Sequence, residues 1–185
     1  MTTQERDVAP ITDVDLSHAV QSDACVLFTG SHETTEALAR RLHDLSGWRH
    51  GPFVVVDCAL PDAEPRLLRW LGMEKPDAPN GTSSWPILAQ SGTVFLREVG
   101  KLDPTLQLRL SDRLAALKTR PGGKRRMRRR VISSSSIPLE SRVENGTFDA
   151  RLFYRLNVIH MVISNNDLGC KPYWKVRPFG GQVQR

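Results

Sequence analysis

The chain has little that would staple it, load it with metal or carry it through a membrane. Cysteine occurs only at Cys25, Cys58 and Cys170, three widely spaced positions. An odd count without any CxxC pair excludes a disulfide framework and a zinc knuckle, so no metal site is expected. Cys25 and Cys58 each stand in an apolar run and are expected to be buried free thiols in a reducing cytoplasm. No apolar stretch approaches the ~18 residues that a membrane helix needs. The beginning, MTTQERDVAP, is too polar for a signal peptide, and the expected location is the cytoplasm. Aromatic residues make up only 6% of the chain, but 39% hydrophobic and 25% charged residues suit a folded domain with a real core.

Charge is unevenly spread. Of the formal +6, the basic excess sits in one window holding Lys118, Arg120, Lys124, Arg125, Arg126, Arg128, Arg129 and Arg130, interrupted by Pro121-Gly122-Gly123. Without it the chain is close to neutral. Such a window suits contact with nucleic acid or an acidic partner. A solvated loop is the favoured reading, since no aromatic side chain lies in the run to stack on bases.

Short apolar runs alternate with amphipathic stretches. Cys25-Val26-Leu27-Phe28, Phe53 to Cys58, the segment 93–98, the run opened by Val131-Ile132, and Val158 to Ile163 each predict a buried strand. Between them Leu38, Leu42 and Leu45 recur at helical spacing, with Thr34 or Thr35 as a cap and Gly47 as a stop. Residues 62–72 and 148–156 look helical. Asp103-Pro104 opens a further helix whose stripe is Leu106, Leu110, Leu114 and Leu117. Pro76-Asp77-Ala78-Pro79-Asn80-Gly81 is turn or loop. Strand–helix alternation predicts a three-layer α/β sandwich with a five-stranded, mainly parallel sheet.

Two places on that frame bear chemistry. Parallel strands present ligand-binding groups at their carboxyl ends. The strand Gly92-Thr93-Val94-Phe95-Leu96 ends in Arg97-Glu98, where a nucleotide hydrolase carries two acids, one for Mg²⁺ and one for the attacking water. After the first strand, Gly30-Ser31-His32-Glu33-Thr34-Thr35-Glu36 takes the place of a phosphate-binding loop. Such a loop needs converging N–H groups and a lysine. Gly30 is its single glycine, no lysine follows, and Glu33 and Glu36 add negative charge where phosphates would sit.

Five ordered blocks resemble one family. VLFTG followed by ALARRLHDLS, then GPFVVVDCA, SGTVFLREVGKLDPTLQLRL and FDARLFYRLNV are similar to the AAA+ domain of the bacterial enhancer-binding activators of sigma-54 RNA polymerase, over roughly residues 24–160. The resemblance implies a P-loop NTPase-like α/β/α domain over 24–165, after a lead-in at 1–23 and before an irregular tail at 166–185, with the family's helical lid absent. It places Gly30, Ser31, Thr34 and Thr35 in a degenerate Walker A loop that is one residue short and lacks its lysine. It sets Arg97 at the Mg²⁺-binding aspartate and Glu98 at the catalytic glutamate. Arg97 is expected to pair with Glu98 or with a loop acid, replacing the metal's charge. Ser136 falls near the sensor asparagine. Asp149 reverses the charge of one of the two arginines that reach a neighbour's ATP, and Arg155 keeps the other. Leu71-Gly72-Met73-Glu74-Lys75 resembles the approach to the GAFTGA loop that touches sigma-54, but that loop is missing.

The resemblance therefore implies a transcription-related regulatory or interaction module, defective in ATP hydrolysis and in direct sigma-54 contact. Its expected partners are intact AAA+ activators or further copies of itself, through the face around 148–157. Two alternatives stay open: a protein that binds ATP weakly without hydrolysing it, and a decayed gene product without present activity.

Overall fold

A computed structural model describes residues 13–71, 92–118, 129–163 and 174–177. Helix α1 (Asp13–Gln21) precedes β1 (Val26–Thr29), α2 (His32–Leu45), β2 (Phe53–Asp57), α3 (Ala63–Leu71) and β3 (Gly92–Arg97). A single 3₁₀ turn (Val99–Lys101) leads to α4 (Pro104–Lys118) and β4 (Arg129–Ser135). Then come α5 (Leu139–Glu144), α6 (Ala150–Leu156), β5 (Ile159–Ile163) and β6 (Trp174–Arg177).

The strands form one sheet in the order β2-β3-β4-β1-β5-β6. The first five are mutually parallel, as the alternation of strands and helices predicts. β6 adds an antiparallel edge, pairing His160 with Arg177 and Ile163 with Trp174, inside the stretch expected to be irregular.

Side-chain alternation explains why the strands read as unbroken apolar runs. Leu27, Val94, Leu96 and Val131 face a core completed by Leu67 and Trp70 of α3, Leu110 and Leu114 of α4, and Leu152 and Leu156 of α6. Val26, Phe28, Phe95 and Ile132 face the opposite core, with Ala19 of α1 and Leu38, Ala39 and Leu42 of α2. Both faces are covered, so neither needs polar residues. From β1 the chain crosses by α2 to the far edge at β2, then winds back through β3 and β4 and past β1 to β5. Right-handed crossovers running in opposite directions put α2 on one face and α3, α4 and α6 on the other. The winding reverses at β1, and the carboxyl end of β1 is therefore the natural mouth of a ligand crevice.

Four local expectations are corrected. Helix α2 begins at His32 with Ser31 as N-cap, ahead of Thr34 and Thr35, because no loop separates it from β1. It ends at Leu45, before Gly47, where the Ser46 hydroxyl donates to the His43 carbonyl at 2.8 Å. Leu45 lies outside the buried stripe, and His43 takes an inward place instead. β3 stops at Arg97, since Glu98 adopts a left-handed conformation (φ 52°, ψ 48°). The Asp103 cap is as expected: its carboxylate accepts from the Thr105 and Leu106 N–H groups at 2.7 and 3.0 Å.

The basic window is corrected at one position. Arg130 is completely buried in β4. Its guanidinium donates to the Ala19 carbonyl in the last turn of α1 and to the Leu42 carbonyl, at 3.5 Å, in the last turn of α2. Those carbonyls have no acceptor role within their helices, and a cation suits both negative helix ends. Burial pulls the Arg130 pKa down to about 10, so it still carries its charge at neutral pH. It is a core strut and not a surface contact. Arg120, Lys124, Arg125, Arg126 and Arg128 lie outside the described residues, as do Pro76 to Gly81 and Cys170.

Candidate functional site at the strand carboxyl ends

Only Gly30 and Ser31 connect β1 to α2. The Gly30 N–H donates to the Ser135 carbonyl at 3.1 Å, which ties the junction to β4. A side chain at Gly30 would put its Cβ 2.7 Å from the Ile163 Cβ, so the close passage of β5 requires glycine. The Ser31 and Thr34 hydroxyls bond each other at 2.8 Å. Thr35 is fully buried, and its hydroxyl donates to the His32 carbonyl at 3.1 Å. The four residues expected to hold phosphates are thus engaged with their own surroundings.

Next to the junction, β2 and β3 end side by side, with Asp57 and Arg97 as register partners. The Arg97 guanidinium donates through Nη1 to Asp57 Oδ2 at 3.2 Å and through Nη2 to Glu36 Oε2. The other Glu36 oxygen, Oε1, accepts from Arg40 Nη2 at 2.9 Å. Burial by itself raises the Glu36 pKa, but the hydrogen bonds from Arg40 and Arg97 outweigh it and hold the carboxyl below its usual range. Burial likewise opposes the charge on Arg97, and Glu36 and Asp57 outweigh it, so its pKa is raised. The expected pairing with a loop acid is present, although Glu36 lies on a helix. Glu98 is not the partner.

Glu98 faces β4 instead. The Ser136 N–H donates to its Oε1 at 2.8 Å and the Ser136 hydroxyl to its Oε2 at 3.0 Å. His32 Nδ1 lies 3.6 Å from Oε1. Glu98 is almost completely buried, and the left-handed backbone at 98 aims the side chain along this line.

The remaining expected positions are separate from this group. Asp149 caps α6, accepting from the Leu152 N–H at 2.8 Å, and Arg151 Nε stands 3.5 Å away. Arg155 Nε donates to the Ser111 hydroxyl of α4 at 3.3 Å. Both belong to the α6 face.

Sequence reasoning assigned no role to Asp57, His32 or the pair Thr29–His160. Asp57 was legible in principle, because two adjacent parallel strands end in opposite charges. Thr29 Oγ1 and His160 Nε2 bond at 2.9 Å, and His160 Nδ1 lies 3.6 Å from Glu140, a connection between β1, β5 and α5 that no local motif announces. Burial and the neighbouring acids Asp57 and Glu98 push the Cys58 thiol up to about 12, so it is an inert core group. Among the described residues no group of His, Cys, Asp and Glu is arranged to hold a metal ion, and no helix is long and apolar enough to cross a membrane.

The family model described as Sigma-54 interaction domain matches residues 4–162. The sigma54-dependent transcriptional activator SfnR of Pseudomonas putida is 34% identical over 151 residues, 78% of this chain and 41% of that protein. NtrX from Brucella abortus superposes with a TM-score of 0.64 at 27% identity, over 80% of this chain and 34% of NtrX. The P-loop NTPase domain of the Sigma-54 transport activator from E. coli gives 0.54 at 23% identity, over 75% of this chain and 95% of that domain, a likeness of fold. The chain spans less than half the length of the curated relatives it matches.

Proposed function

The chain belongs to the Sigma-54 interaction domain family, and from that premise we propose that it is a transcription-related regulatory or interaction module that does not hydrolyse ATP. The observation that carries this reading is the junction of β1 and α2. Two residues are too few to wrap a phosphate in converging N–H groups, and the Gly30 N–H is already given to Ser135. Thr35, which the resemblance places in the degenerate loop, has its hydroxyl turned into α2. The Ser136 clamp on Glu98 supports the same reading, since a glutamate with both oxygens engaged is poorly placed to polarise water. Without the lysine, the metal aspartate and one of the two arginines, an electrostatic mechanism loses most of its parts.

In place of turnover, the domain offers a preserved frame. The α6 face keeps Arg155, with Tyr154 largely exposed beside it, and would associate with intact activators or with a second copy. The missing GAFTGA pattern argues against direct sigma-54 contact. The test is ATP turnover together with thermal stability under ATP, with and without Mg²⁺. The expected outcome is phosphate release at the buffer rate and no Mg²⁺-dependent stabilisation by ATP. Sustained turnover would overturn the proposal, and a melting temperature that climbs with ATP·Mg²⁺ as mass action requires, without turnover, would replace it by the alternative of a nucleotide-binding protein that does not hydrolyse.

A further inference from the structure

We propose that the Arg97 guanidinium is a built-in counter-ion, filling with a covalently attached cation the place at the β2 and β3 ends where a divalent metal would otherwise be needed, so that the folded chain is indifferent to divalent metal. The inference rests on the reading above for the identity of that place, and on geometry for the rest. Glu36 from α2 and Asp57 from β2 converge on one spot, each with a side chain about one-fifth exposed. Two carboxylates held together with limited access to water repel each other unless a cation lies between them. Arg97 supplies it by spreading one nitrogen to each, and its charge persists at every working pH. The result ties α2 to the ends of two strands.

A metal does not fit this arrangement as it stands. Asp57 Oδ2 and Glu36 Oε2 are each committed to Arg97, and Glu36 Oε1 to Arg40. A cation entering beside Arg97 would meet its positive charge. Removing that charge is expected to expose the underlying need.

The experiment is a melting series in EDTA, MgCl₂ and MnCl₂, without nucleotide. The wild-type melting temperature should be the same in all three. Arg97→Ala should melt about 5 °C lower in EDTA and recover part of the loss, saturably, in millimolar MnCl₂. Arg97→Lys, which keeps the charge, should again be indifferent to metal. If Arg97→Ala does not fold, Arg97→Ala/Glu36→Gln tests the same point, because relieving the repulsion should restore folding without metal. A saturable metal response in the wild type overturns the proposal. So does an Arg97→Ala variant that folds but ignores MnCl₂, or a double variant no more stable than the single one. ATP takes no part in this series, so its failure leaves the turnover test standing, whereas turnover by the wild type would remove the identity given to the place and leave only the counter-ion role to be read from this series.

Discussion

His43 makes the stability of the fold depend on pH in one direction. Its ring is buried between α2 and the sheet, 2.9 Å from the Thr93 hydroxyl through Nδ1 and tilted against Phe53. Burial lowers its pKa, Arg130 and Arg40 lower it further, and Asp44 opposes them. The unfolded chain titrates this group near 6.5. As pH falls below about 6.5, the unfolded state takes up a proton that the folded state refuses, and stability falls until the folded pKa is reached. Urea midpoints between pH 7.5 and 5 should therefore decline in the wild type. His43→Gln should flatten that decline, and an unchanged slope would assign the effect elsewhere.

At the scale of the element, Arg130 and Gly30 each hold two segments together. Arg130→Met leaves the Ala19 and Leu42 carbonyls without their donor in a dry seam, and should cost about 2–3 kcal/mol in urea unfolding. Amide exchange in α1 should accelerate more than exchange in α4, because Arg130 ties α1 and α2 to the sheet and makes no such bond to α4. If α1 and α4 exchange alike, the strut is not what fixes α1. Gly30→Ala forces a methyl group against Ile163 and should cost about 1–3 kcal/mol.

Both residues also show the limits of reading elements from sequence. Five strands and the Asp103-Pro104 helix start were legible because two-sided burial produces continuous apolar runs and a cap has a local signature. Arg130 was not, since a run of like charges hides where a strand begins within it, and here β4 starts at Arg129. The start of α2 was missed for a related reason. The side chain of its cap Ser31 accepts no bond from the helix N–H groups, so only the distance to β1, a tertiary fact, decides where the helix begins.

For the molecule as a whole, the layering and the parallel sense of the sheet were legible, and the strand order and the pairing of charges were not. Parallel strands follow from alternation, whereas the joining of Glu36, Asp57 and Arg97 depends on which strands are neighbours. An association test belongs at this scale. Sedimentation of the purified chain should show concentration-dependent oligomers, or co-elution with an intact activator. Tyr154→Glu should weaken either while moving the melting temperature little, as expected of an exposed residue. A strict monomer that co-elutes with no activator removes the interaction half of the proposal.

The brevity of the β1–α2 junction has a consequence for ancestry and engineering. A lysine placed at 35 would enter a buried position inside the helix with no loop ahead of it. An aspartate placed at 97 would join Glu36 and Asp57 and leave only Arg40, on Glu36, to balance three carboxylates. On the proposed reading, each single step toward ATP hydrolysis would be harmful alone, and only a longer loop, the lysine and the aspartate acquired together would help. A chain so placed would stand behind an epistatic ratchet, with no gradual path to turnover.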